Sequence, residues 1–294
     1  VALILAILIR GFAVEAFVIP TGSMAPTLLG RHKDVFCPQC GVNYQVNASD
    51  EVEDRGGGIG RIAGGTCANC RYRAAQLDQQ VSFRGDRILV TKFLYDLPFL
   101  PGGGGPSRWD VVVFKYPEGP EVNYIKRLVG MPNEELQVNS GDVRVRPLNR
   151  PWEPFRYPRR PLPHQDAMQI LVWDDAHQPA AFRDRPEWRR WRADTEGGWS
   201  TTLGGSGWPP SYTSSPTASG WSRLGYRHLV PDPIQWEAAQ TSLAVLPSPP
   251  RATLITDFYS YNSGQMAKRG EDFSWFQPHW VGDLTLSARL QAVD

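Results

Sequence analysis

The chain has 294 residues, 41% of them hydrophobic, with 31 basic residues against 30 acidic ones. A formal charge of +1 provides no field for gripping a polyanion, so nucleic acid is excluded as a default partner. The 28 Gly, 26 Pro and 11 Trp interrupt helices and suit sheets and loops, which predicts a mainly β, loop-rich architecture.

The chain opens on an apolar run over 1–9 that Arg10 interrupts and that resumes weakly to Val18. The run has no polar face, and a full span needs about 20 apolar residues. We expect 1–18 to be the cut end of a membrane helix; a short buried or amphipathic helix is the plainer alternative.

Residues 17–29 follow, reading Phe-Val-Ile-Pro-Thr-Gly-Ser-Met-Ala-Pro-Thr-Leu-Leu. Pro20 and Pro26 exclude both a helix and a central strand between them, so Ser23 is held on a stiff, exposed loop. Gly22 leaves the backbone before Ser23 open to a substrate carbonyl, which the Ser23 amide and the Thr21 hydroxyl could meet as oxyanion donors. A lone Ser in a Pro/Gly loop is ordinarily a turn residue.

A serine nucleophile needs a base. None of the five His sits in a recognisable triad context. A lysine can serve if apolar surroundings strip water from its ammonium. Residues 85–93 read as a turn and a strand, and 108–117 and 124–132 as two β-branched strands joined by a turn at 117–120. On strand alternation Tyr124, Lys126 and Leu128 share one face, which flanks Lys126 with an aromatic and an aliphatic group.

Segment 19–28 resembles the nucleophile element of the bacterial signal peptidase I family, Pro-Ser-Gly-Ser-Met-x-Pro-Thr-Leu, with Thr21 in place of its first Ser. Residues 85–92 are similar to the family's Gly-Asp-x-x-x-Val-x-Lys strand, and Tyr-Ile-Lys-Arg-Leu-Val-Gly-Met-Pro at 124–132 to the run that carries its lysine. The resemblance implies Ser23 as nucleophile and Lys126 as general base. It also implies Thr21, Met24 and Tyr124 at the oxyanion and substrate side, and no cofactor for catalysis. Lys92 and Lys115 fall at other motif positions.

The implied fold is an antiparallel β catalytic core over 19–36 and 82–145. The implied enzyme is bound to the plasma (inner) membrane, faces the extracytoplasmic side, and cleaves signal peptides from exported preproteins, with the lipid bilayer as a second partner. The family's Gly-Asp-Asn support segment has no counterpart in the chain and is expected beyond Asp294. The alternatives are an inactive homologue, a soluble repressor-type serine and lysine autoprotease, and a zinc-ribbon binding module.

Two insertions interrupt the match. Over 37–81, Cys37-x-x-Cys40 and Cys67-x-x-Cys70 have the spacing of a zinc ribbon, in which two tight turns offer four thiolates to one structural Zn²⁺. Gly41 permits the positive φ that such a knuckle wants. Two disulfides are the alternative. Over 146–294, Trp188, Trp191, Trp199, Trp208, Trp221 and Trp236 are expected to pack under long loops in a β-rich insertion, with strands at 254–261 and 279–291 by period-two alternation.

Overall fold

The computed structural model describes residue 4 and residues 9–51, 60–97, 99, 104–193, 198–202, 209–214, 222–241, 248–266 and 278–291. The protein is mainly β, built from short antiparallel ladders. β1 (Val14–Val18) pairs with β6 (Arg87–Thr91), matching Phe17 to Ile88 and Val18 to Arg87. β7 (Val111–Tyr116) and β8 (Gly119–Arg127) form a hairpin that places Val112 opposite Lys126. Its turn is tighter than the expected 117–120, because Tyr116 already pairs with Gly119. β9 (Glu134–Asn139) and β10 (Asp142–Pro147) form a second hairpin. Its two-residue turn takes φ 49 at Ser140 and φ 86 at Gly141, the mirror-image conformation that matches strand twist.

The ribbon-like insertion pairs β2 (His32–Phe36) with β3 (Asn43–Asn47), and β4 (Ile62–Thr66) with β5 (Arg73–Ala74). Alternation sends Val35, Tyr44, Val46 and Ile62 inward. Gly65 lets β4 lie close on β3, since a Cβ there would stand 2.6 Å from Val46 Cγ2. Lys33 is fully buried and is held by Glu51 at 2.8 Å and by the carbonyls of Leu77 and Gln80.

The main core continues from this insertion into the second one. Phe182 stacks on Trp188 with centroids 4.0 Å apart, and Trp236 lies 4.9 Å from Phe182 and 5.3 Å from Tyr72. Asn69 fastens the two, donating to His177 O at 2.7 Å and accepting from Asp174 N at 2.7 Å. Trp188 and Trp236 are therefore core residues, as expected of aromatics under loops. Trp208 and Trp221 lie outside the described residues.

One expectation is corrected. Segments 254–261 and 279–291 are not ladder strands: the first ends in a 3-10 turn (Ser260–Ser263), and the two segments meet in one isolated bridge, Thr256 to Trp280. Alternation marks one apolar face, but a strand needs a backbone partner, and the described residues offer 283–291 none. Most of the apolar run at 1–9 lies outside the described residues. No helix among the described residues is long and apolar enough to cross a membrane, and Ile9–Ala13 forms only a π-helical turn leading into β1.

Candidate active site and metal centre

Ser23 sits in a single 3-10 turn, Gly22–Met24, closed by Ala25 N to Gly22 O at 3.0 Å. Asp86 staples both ends of this loop. Its carbonyl accepts from Ile19 N at 2.9 Å, its amide donates to Leu29 O at 2.9 Å, and its carboxylate accepts from Leu29 N at 2.7 Å. Gly85 allows the close approach, since a Cβ there would meet Ile19 O at 1.9 Å. The similarity at 85–92 thus corresponds to a physical brace beside Ser23.

Lys126 reaches the serine from the β7–β8 hairpin. Its Nζ donates to Ser23 Oγ at 2.9 Å and to Ile125 O at 3.0 Å. The neighbouring Arg127, on the opposite strand face, donates to Thr27 Oγ1 at 2.7 Å and to Trp109 O at 2.7 Å. Thr27 in turn donates to Ala167 O at 2.9 Å. Arg127 therefore fixes how far the hairpin stands from the Ser23 loop.

Tyr124 lies half-buried with its ring centroid 5.0 Å from that of Tyr116, and Lys126 Nζ is 5.7 Å from it. The expected apolar flanking is met on this side, yet Lys126 is exposed, because no further layer covers this face among the described residues. Thr21 is exposed beside Ser23, whereas Met24, expected at the substrate side, is buried at 6% exposed. The rival lysines are engaged elsewhere: Lys92 pairs with Glu15 at 2.8 Å, and Lys115 donates to Pro120 O at 2.9 Å. Among the described residues no His bonds to Ser23.

One residue of this site had no sequence signal. Tyr261, from the far insertion, is fully buried, and its hydroxyl accepts from Gly30 N at 3.1 Å. A Cβ on Gly22 would stand 2.2 Å from Tyr261 Cε1. Gly22 thus serves close packing against this ring as well as access to the Ser23 amide.

The family described as signal peptidase, peptidase S26 matches residues 77–171, which include Lys126, the Arg127 strap and the Asp86 brace. This part of the chain is thus similar to the signal peptidase S26 family. The peptidase segment is similar to signal peptidase I of Pseudomonas fluorescens, with 32% identity over 144 residues, 47% of this chain and 32% of that relative. Signal peptidase I of Pseudomonas aeruginosa is likewise 32% identical over 141 residues, 46% of this chain and 31% of the relative. That of Buchnera aphidicola subsp. Baizongia pistaciae is 43% identical over 61 residues, 19% of this chain and 20% of the relative. The matched stretch thus spans about a third, or less, of each of these curated relatives. No solved structure matches.

The four cysteines converge outside the matched segment. Their sulfurs all lie within 4.8 Å of one another, with Cys37 to Cys70 and Cys40 to Cys67 at 3.6 Å. A disulfide would need about 2.05 Å, while four thiolates at about 2.3 Å from one metal stand about 3.8 Å apart. All four are buried, unbridged thiols. Sharing one volume, they ionise unequally. Hydrogen bonds from Cys37, Cys40 and Cys70 hold the Cys67 thiol well below its ordinary range, while bonds with Cys37 and Cys67 push Cys40 and Cys70 well above it. The donor set and its spacing fit a tetrahedral divalent ion.

Proposed function

We propose that the chain is the catalytic part of a membrane-bound serine endopeptidase of the signal peptidase I type, which removes signal peptides from exported preproteins on the extracytoplasmic side of the plasma (inner) membrane. The observation that carries this reading is the 2.9 Å contact between Lys126 Nζ and Ser23 Oγ, made by segments 103 residues apart. The family match over 77–171 supports it.

Ser23 Oγ attacks the scissile carbonyl as its proton passes to Lys126, which must be neutral at that moment. A substrate laid over the exposed Lys126 excludes bulk water from the pair. The Ser23 amide and the Thr21 hydroxyl take the oxyanion, and Lys126 returns the proton to the leaving amine. Water activated by Lys126 then hydrolyses the acyl ester on Ser23.

In the full-length protein, Ser23→Ala and Lys126→Met should each lower preprotein cleavage by at least ~10³-fold, with the double change costing little more, because the pair acts as a unit. Retention of most of the cleavage rate by Lys126→Met would remove Lys126 from this role.

The same reading includes a structural zinc held by Cys37, Cys40, Cys67 and Cys70. When bound it cross-links the two knuckles and takes no part in peptide hydrolysis.

A further inference from the structure

The two cysteine knuckles have the same backbone. Gly41 N donates to Cys37 O at 2.8 Å and Arg71 N to Cys67 O at 3.2 Å, while Cys37 N and Cys67 N donate to the carbonyls of Val42 and Tyr72 at 2.9 Å. Both turns close on a left-handed residue, Gly41 at φ 77 and Arg71 at φ 66. Glycine takes that conformation freely, whereas a side chain there is strained. The second knuckle thus carries an arginine where the first has the unstrained residue.

That arginine is buried, at 8% exposed, and folds back on its own knuckle, donating to Ala68 O at 2.6 Å with its guanidinium 3.9 Å from the Phe258 ring centroid. A second guanidinium lies nearby. Arg190 is 5% exposed, 3.7 Å from the Trp173 ring centroid, and donates to Tyr226 OH at 3.3 Å. Both act on His228, and both lie within electrostatic reach of the Cys70 sulfur. Neither forms an ion pair with a carboxylate among the described residues. Asp175 acts on Arg190 from beyond ion-pair distance, and its oxygens are taken by Trp173, Gln178 and Tyr212.

A buried, unpaired guanidinium is costly, and two side by side are costlier. Four neutral thiols or two disulfides would leave this pair of charges without an ion-pair partner among the described residues. Four thiolates around one divalent ion carry a net charge of two minus, which matches two guanidiniums. We propose that Arg71 and Arg190 are the counter-cations of a dianionic tetrathiolate zinc centre, and that they commit Cys37, Cys40, Cys67 and Cys70 to metal rather than to disulfides. The inference rests on the zinc reading above and adds the charge state and the residues that stabilise it. Loading exchanges the remaining thiol protons for the metal, with no change of oxidation state.

The test uses the full-length protein and zinc itself. Elemental analysis should find one zinc per chain, with four thiols that alkylate only after chelation. Two cystines and no zinc would overturn both the zinc reading and this inference. Affinity is then measured by competition with a chromophoric chelator. Arg71→Gly restores the residue of the first knuckle, so it should fold with an unstrained turn yet bind zinc about 10–100-fold more weakly, the usual cost of losing a partner that supports metal ligands. Arg190→Met should weaken zinc similarly, and Arg190→Lys should recover most of the loss. A zinc-loaded wild type with undiminished affinity in Arg71→Gly, and in Arg190→Met if that variant folds, would overturn the counter-cation role alone.

Discussion

At the scale of single residues, Gly22 and Tyr261 set the platform on which Ser23 stands. The Tyr261 ring is fully buried and has no room to withdraw from a methyl group placed 2.2 Å from its edge. Gly22→Ala should therefore displace the Gly22–Met24 turn, lowering stability by about 1–3 kcal/mol and cutting kcat further than stability alone predicts. Thermal unfolding and single-turnover cleavage measure the two effects. Tyr261→Phe keeps the ring and removes the hydroxyl bonded to Gly30, at a cost of about 1 kcal/mol, and should leave the turn in place. Wild-type melting and cleavage in Gly22→Ala would show that the ring does not support the nucleophile. Sequence reading assigned Gly22 to substrate access because a missing Cβ says nothing about what fills its space. Tyr261 gave no signal at all, since an aromatic in an alternating stretch is indistinguishable from a strand residue.

Among elements, the decisive relation is between the nucleophile loop, β6 and the β7–β8 hairpin. Asp86 closes the loop from one side and Arg127 straps it to the hairpin from the other. Asp86→Ala removes the acceptor of the part-buried Leu29 amide, an omission worth about 1–3 kcal/mol. The prediction is a larger fall in kcat than rise in KM, together with faster proteolytic nicking inside the loop. An unchanged kcat with a raised KM would mean that Asp86 serves substrate binding rather than loop geometry. The strands themselves were legible, because β-branched runs bounded by Gly and Pro carry their own period. Their length at the turn was not, since Pro117 and Glu118 suffice for the reversal and Gly119 joins the ladder. The alternation over 283–291 misled for a physical reason: a strand is defined by its partner.

For the whole molecule, the core lies where the two insertions meet, with the peptidase strands beside it. Phe182, Trp188 and Trp236 pack in the same cluster as the four cysteines, so the cysteine knuckles underpin the aromatic insertion. Stripping zinc with a strong chelator should admit water to these indoles and shift tryptophan emission to longer wavelength, reversed by added zinc. Emission that stays unshifted while zinc is fully released would show that the aromatic core stands without the metal.

Sequence by itself determined what is written locally: the Pro-bracketed serine, the β-branched run that presents Lys126, the ligand spacing of four cysteines, and the absence of a polyanion-binding charge. Each depends on spacing within a few residues, where turn and strand geometry leave little freedom. Only the tertiary structure decided that Ser23 and Lys126 come within 2.9 Å of each other, that Tyr261 packs on Gly22, and that two buried arginines with no carboxylate ion pair among the described residues lie within electrostatic reach of Cys70. Apolar burial is non-directional and chooses its partners from the whole chain, so no local pattern specifies contacts such as Asn69 with Asp174 or Gly22 with Tyr261.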